Sequence, residues 1–269
     1  MSDLHLRFKR FIDFINFLYQ KNPQCFEYDH NIWTENYDGE NGIFAVFIRT
    51  LVCNDDESET IFKKMGMFDG VKSRSNQSNF HGWAQGLVDK VIIGPNLGDH
   101  RKEYRNKRNF AKTLKSYLDI VGSSQTEFFN SIISFNEAYN KVIKIHDAGP
   151  LFCIDFLERL YRSYHNYINY YPKEFYVTGK GVRNGIKKLY SNDNLKGEKL
   201  KKKGDYILQK IIDDNIVIKN IAYFELETIL CCYRKRSIRD KAIKYLEGKI
   251  TTSKFANLYA KHFCKSKKC

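Results

Sequence analysis

The stretch Lys144–Arg162, KIHDAGPLFCIDFLERLYR, sets Asp147-Ala148-Gly149-Pro150 between two segments that both read as helix. Upstream, residues 128–145, FFNSIISFNEAYNKVIKI, carry apolar side chains at helical spacing. Downstream, Phe152, Phe156, Leu157 and Leu160 form a stripe at i, i+4, i+5 and i+8. Gly-Pro between two helices reads as a tight turn with proline at the first position of the second helix. So short a turn leaves the first N–H groups of that helix outside its own hydrogen-bond ladder, where they can seat a phosphate. The plainer alternative is an ordinary corner between two packed helices.

Outward from this turn the composition favours helices. The chain has 269 residues, 42% of them hydrophobic, with 20 Phe and 18 Tyr to fill a core and only 4 Pro and 16 Gly to interrupt it. Lys and Arg number 45 against 31 Asp and Glu, a net charge of +14 that favours a polyanionic partner, nucleic acid before an acidic membrane surface. The same excess is also what compositional drift towards Lys, Asn, Ile and Tyr produces. No apolar run is long enough to span a bilayer, and the amphipathic N-terminus, with charges interleaved, is not a secretory signal. A cytoplasmic location without membrane association is expected. The seven cysteines (25, 53, 153, 231, 232, 264 and 269) make no CxxC pair, so no zinc or iron–sulfur site is spelled out, and reduced thiols are expected.

Helical periodicity runs through residues 4–20, 41–53, 55–66, 101–121, 125–143 and 150–170, and resumes from 205. The tract 69–83, DGVKSRSNQSNFHGW, reads as loop-rich. The polar, basic tract 191–205, SNDNLKGEKLKKKGD, reads as an exposed loop, and residues 262–269 as a frayed tail. No repeat or low-complexity linker divides the chain, so residues 1–269 read as one all-α domain in two helical lobes with a cleft between them.

The order of these pieces resembles the helix-hairpin-helix DNA glycosylases. Residues 41–65, NGIFAVFIRTLVCNDDESETIFKKM, are similar to their early helix pair. Residues 142–157, VIKIHDAGPLFCIDFL, look like their hairpin, usually hPGhGxxxA, with Asp147 in place of the first Gly and Gly149 keeping the second. In that family the hairpin amides hold a DNA phosphate, which implies Ala148, Gly149 and Leu151 here. Residues 174–190, EFYVTGKGVRNGIKKLY, resemble the segment PVDxHVxRxxxRL. Thr178 stands where that family has its catalytic Asp, and it cannot carry negative charge at neutral pH, so the likeness implies the fold more than the chemistry.

A divergent branch resembles the chain more closely: the α-glutamyl/putrescinyl thymine pyrophosphorylase-like group, with the helical domain of hydroxymethyluracil DNA kinases. Its motifs GPFxAxxxxxDL, GPGxxxGL and hExxLCxxxKxxR are matched by Gly149, Pro150, Phe152 and Asp155, then by Gly179, Gly181, Gly185 and Ile186, then by Glu227, Leu230 and Cys231. Lys180 replaces the proline of GPG. The resemblance spans residues 40–240 and implies DNA, double-stranded and carrying modified bases, as the partner, with no obligate protein partner.

Read as residues, Gly179-Lys180-Gly181 allows close approach of a ligand and opens a helix, an anion seat or a common turn. Lys180, Arg183 and Lys187 lie near one helix face and can meet phosphates. Asp155 is either a helix N-terminal acid bonding local amides or a catalytic carboxylate displaced from the position of Thr178. Asn54 and Asp55 either cap a helix or contact an opened base; Arg49 either pairs with an acid or reaches phosphate. His81, Trp83 and Tyr104 are candidates to stack on an extruded base.

Three functions follow as expectations. The first is a glycosylase that flips a modified base and hydrolyses its N-glycosidic bond, in defence against phages with hypermodified DNA. The second is a phage-type transferase that displaces pyrophosphate from a hydroxymethyluracil in DNA with an amino acid or polyamine. Cationic groups for that leaving group are plentiful in Arg101, Lys102, Arg105, Lys107 and Arg108. The third is a DNA-binding module without chemistry. No Walker-type loop is present, and no cofactor or metal is expected.

Overall fold

The computed structural model describes residues 3–21, 33–52, 55–89, 109–168, 170–176, 179–216 and 222–234. Among them there are helices and no strands. The α-helices are α1 Asp3–Lys21, α2 Gly39–Val52, α3 Asp55–Met65, α4 Phe68–Arg74, α5 Phe80–Asp89 and α6 Phe110–Val121. They continue with α7 Gln125–Asn130, α8 Phe135–Val142, α9 Pro150–Ser163, α10 Lys180–Tyr190, α11 Gly197–Asp213 and α12 Ala222–Tyr233. The all-α expectation holds. The chain divides into two compact units, one of Asp29–Tyr171 and one of Met1–Tyr28 with Pro172–Cys269.

The unit Asp29–Tyr171 is built around α2. Every residue from Gly42 to Val52 is buried, which marks a helix covered on all sides. It packs against α3, α7 and α9. Phe47 stacks on Tyr117 of α6 with ring centroids 3.7 Å apart, and the edge of Phe156 of α9 meets both rings. At Gly42 an added Cβ would stand 2.3 Å from the Tyr164 hydroxyl, so only glycine lets that ring lie against α2. The Tyr164 oxygen sits 2.6 Å from the Thr34 carbonyl and 2.7 Å from that of Tyr37, which anchors the chain before α2.

Glu40 ties α2 to α7. Its carboxylate accepts from the backbone N–H groups of Gln125 (2.7 Å) and Thr126 (3.0 Å) and from the hydroxyl of Ser124 (2.6 Å). Burial pushes the Glu40 carboxyl up, but these donors outweigh it and hold the group below its ordinary value.

In the other unit α10 packs on α1, α11 and α12. The edge of Phe11 on α1 meets Tyr233 of α12 at 5.0 Å, and Phe8 meets Tyr190 of α10 at 5.8 Å. Phe175 is fully buried and fills the space over Gly204 of α11, where a Cβ would lie 2.2 Å from its ring.

Several boundaries differ from the sequence reading. Residues 125–143 are two helices, because Ser124 and Ser134 each start one, accepting from the N–H of Glu127 and of Glu137 three residues on. The tract 69–83 holds the end of α4 and the start of α5, with Phe80 buried between exposed polar residues. The basic tract 191–205 is a loop only as far as Lys196. From Gly197 it is α11, whose buried Leu200, Gly204, Ile207, Leu208 and Ile211 mark one face, while its lysines lie on the others. Residues 101–108 and the tail 262–269 lie outside the described residues, and helix begins at Phe110.

Candidate functional site

At the turn that opened the sequence reading, Asp147 has φ +59°. This left-handed conformation is the one a glycine adopts freely, and among other residues Asp and Asn tolerate it best. Asp147 therefore takes a backbone conformation that glycine adopts most readily. Its carboxylate accepts from the Asn109 side-chain amide, and the Ala148 N–H donates to the Ile145 carbonyl at 2.9 Å. Gly149 is extended (φ −83°, ψ 169°) and caps α9 without a side-chain bond, with Pro150 at its start. The first bond of the helix runs from the Cys153 N–H to the Gly149 carbonyl, so the N–H groups of Leu151 and Phe152 lie ahead of the ladder.

Asp155 is buried in the second turn of α9. Its side chain is 4% exposed and pairs with Arg159, itself 5% exposed, at 3.4 Å on the next turn of α9. Glu158 and Arg162 form a second pair on the same helix at 3.0 Å. Arg49 is buried in the last turn of α2, which packs on α9. Burial pushes the neighbouring Cys153 thiol up to about 12, so it is unreactive at neutral pH.

The second glycine motif opens α10 and also forms a packing surface. Gly179 caps α10 in an extended conformation (φ −105°, ψ 154°) with no side-chain bond, and Lys180 and Arg183 are exposed on the first turn. A Cβ on Gly181, however, would lie 2.7 Å from the Cys231 Sγ and 3.2 Å from the Arg234 Nε. One on Gly185 would lie 2.2 Å from the Leu230 carbonyl oxygen. The glycines of the second motif thus receive the Leu-Cys of the third, and α10 and α12 pack backbone to backbone. Sequence reading matched both motifs without seeing that one is the other's socket; the i, i+4 spacing of Gly181 and Gly185 was the available signal.

The turn after α10 completes a depression beside this contact. Ser191 is left-handed (φ +47°), and the Asn192 N–H donates to the Lys187 carbonyl at 3.0 Å, closing the helix. Asp193 is thereby returned to within 3.8 Å of Lys188. Asn184, Lys188, Asp193 and Arg234 line a volume of about 390 Å³. The Arg234 Nε donates to the Cys231 carbonyl at 3.2 Å.

Of the remaining sequence candidates, Lys187 is half-buried on the same side of α10 as Lys180 and Arg183. Asp55 opens α3. His81 is exposed, and Trp83 lies under the Arg74 guanidinium, 4.5 Å from its ring centroid. Asn54, Tyr104, Arg105 and Thr178 lie outside the described residues, as do Arg101, Lys102, Lys107 and Arg108.

The described residues are helical, two of the sequence motifs interlock, and the net charge of +14 suits a polyanionic partner. Residues 27–242 match the family described as amino acid:DNA transferase, and the chain belongs to that family. No curated protein and no solved structure matches it. The match agrees with the pyrophosphorylase-like branch of the resemblance and favours group transfer over the base hydrolysis expected first. No described helix is long and apolar enough to cross a membrane.

Proposed function

We propose that this protein transfers an amino acid to a modified thymine-type base in DNA. The family match over residues 27–242 carries this reading, since the family's description states both the acceptor and the transferred group. The acceptor is a hydroxymethyluracil whose hydroxyl carries a diphosphate. The amine nitrogen attacks the exocyclic methylene, a C–N bond forms and the C–O bond to the diphosphate breaks. Pyrophosphate leaves with the electron pair, and the new ammonium gives a proton to solvent.

Such a reaction needs the DNA backbone held and negative charge neutralised on the leaving group. The exposed Lys180 and Arg183 at the start of α10 and the uncapped amides of α9 and α10 are suited to the first task.

The test is incubation of the protein with duplex DNA carrying hydroxymethyluracil diphosphate and a mixture of amino acids, followed by nucleoside mass analysis and pyrophosphate measurement. A heavier nucleoside with stoichiometric pyrophosphate is expected. Release of free base would restore hydrolysis, and binding without any product would leave a DNA-binding module.

A further inference from the structure

We propose that the depression lined by Asn184, Lys188, Asp193 and Arg234 is the seat of the free amino acid, held as its zwitterion. The assignment deepens the transfer reading and rests on it for the identity of the ligand class. Three observations carry it.

The first is size: about 390 Å³ lies within the range of small-molecule sites and admits an amino acid with its side chain. The second is charge of both signs. Lys188 and Asp193 stand 3.8 Å apart, an open pair rather than a closed one, and their side chains are 51% and 80% exposed. Exposed pairs at this separation contribute little to stability, so a ligand can engage each partner at small cost. A zwitterion offers a carboxylate to Arg234 and Lys188 and an ammonium to Asp193, with the Asn184 amide able to bond either. A phosphate or pyrophosphate would meet Asp193 as a like charge, so the site does not suit the leaving group.

The third is construction. Arg234 is laid across α10 because Gly181 has no Cβ: an added one would stand 3.2 Å from the Arg234 Nε. The Nε is committed to the Cys231 carbonyl. That bond fixes one edge of the guanidinium beside the depression, and its terminal nitrogens form a fork suited to a carboxylate. The left-handed Ser191 then turns the chain so that Asp193 faces the same space. The two sequence motifs of the α10–α12 contact thereby acquire a common purpose, since their packing holds a cation where a carboxylate is to be read.

The decisive measurement is the KM for the amino acid in the transfer assay, compared between wild type, Arg234→Gln and Asp193→Asn. Each variant is expected to raise that KM by at least about tenfold while the KM for DNA stays constant, because each removes one charge-assisted hydrogen bond. Arg234→Lys, which keeps charge but not the fork, is expected to fall between. Unchanged amino-acid KM in both charge-removing variants overturns the site while leaving the transfer reading intact.

A binding experiment separates the two claims when wild type transfers nothing. Glycine titrated into the isotopically labelled protein is expected to shift the side-chain resonances of Asn184 and Arg234, and Asp193→Asn is expected to abolish the shifts. Inorganic phosphate is expected to leave them unmoved. Phosphate shifting these resonances as strongly as glycine, and more strongly in Asp193→Asn, would make the depression an anion seat and overturn the proposal, as would no shift with either probe.

Discussion

A Cβ on Gly185 would stand 2.2 Å from the carbonyl oxygen of Leu230, closer than any real side chain approaches a backbone oxygen. The contact joins two motifs 45 residues apart in the chain, and it identifies α10–α12 as the rigid joint of its unit. Gly185→Ala must therefore separate two backbones, not move a flexible side chain. We expect a loss of about 1–3 kcal/mol, the usual cost of overpacking, seen as a lower denaturant midpoint. Gly181→Ala meets only Cys231 Sγ and the Arg234 side chain. It should cost less stability and should raise the KM for the amino acid by displacing Arg234.

Asp155 tests the difference between a structural and a chemical acid. Asp155→Asn leaves the Arg159 charge buried without its carboxylate partner, and breaking such a pair costs about 3 kcal/mol. The expected result is a lower unfolding midpoint with near-normal activity per folded molecule. A rate loss of about a hundredfold in protein shown to be folded would instead make Asp155 a catalytic group.

Glu40 should contribute to stability in a pH-dependent way. Its folded value lies below its ordinary 4.5, so its contribution is fully present above that ordinary value and is lost as pH falls through the folded value. Glu40→Gln should lower stability at neutral pH by about 2 kcal/mol, the scale of hydrogen bonds to a charged group. The difference from wild type should shrink as the solution is acidified below the ordinary carboxylate value. Urea titrations at neutral and acid pH check both statements.

Binding to duplex DNA should be strongly salt-dependent because a net charge of +14 favours contacts to phosphates. Affinity should fall by at least about a hundredfold between roughly 50 and 200 mM salt. Lys180→Gln with Arg183→Gln should flatten the slope without altering preference among ordinary sequences. A salt-independent affinity would remove these two residues from the interface.

Cys153 should resist alkylation in the native protein, since burial holds its thiol near 12 and leaves almost no thiolate at neutral pH. Peptide mass analysis after iodoacetamide treatment should find it modified only once the protein is unfolded.

The sequence by itself determined the all-helical character, the positions of the α9 and α10 starts and a tight turn at Asp147–Pro150. These are local matters: apolar spacing, Gly and Pro at helix ends, and an Asp able to take a positive φ at position 147. Its misreadings were local as well. The lysine-rich tract before Gly204 hid a helix because its buried face, Leu200 with Ile207, Leu208 and Ile211, is diluted by charge. Only tertiary structure decided what the motif residues touch. Gly181 read as backbone open to a ligand or as a common turn and Gly185 only as a motif position, yet the atoms that exclude a Cβ there belong to Leu230, Cys231 and Arg234; the spacing of the two glycines marks a close contact without naming what fills it. In the same way Asp155 read as a helix N-terminal acid bonding local amides or as a displaced catalytic carboxylate, and its burial beside Arg159 comes from α9 lying against α2, a packing choice set by the Phe47, Tyr117 and Phe156 rings together rather than by any one segment.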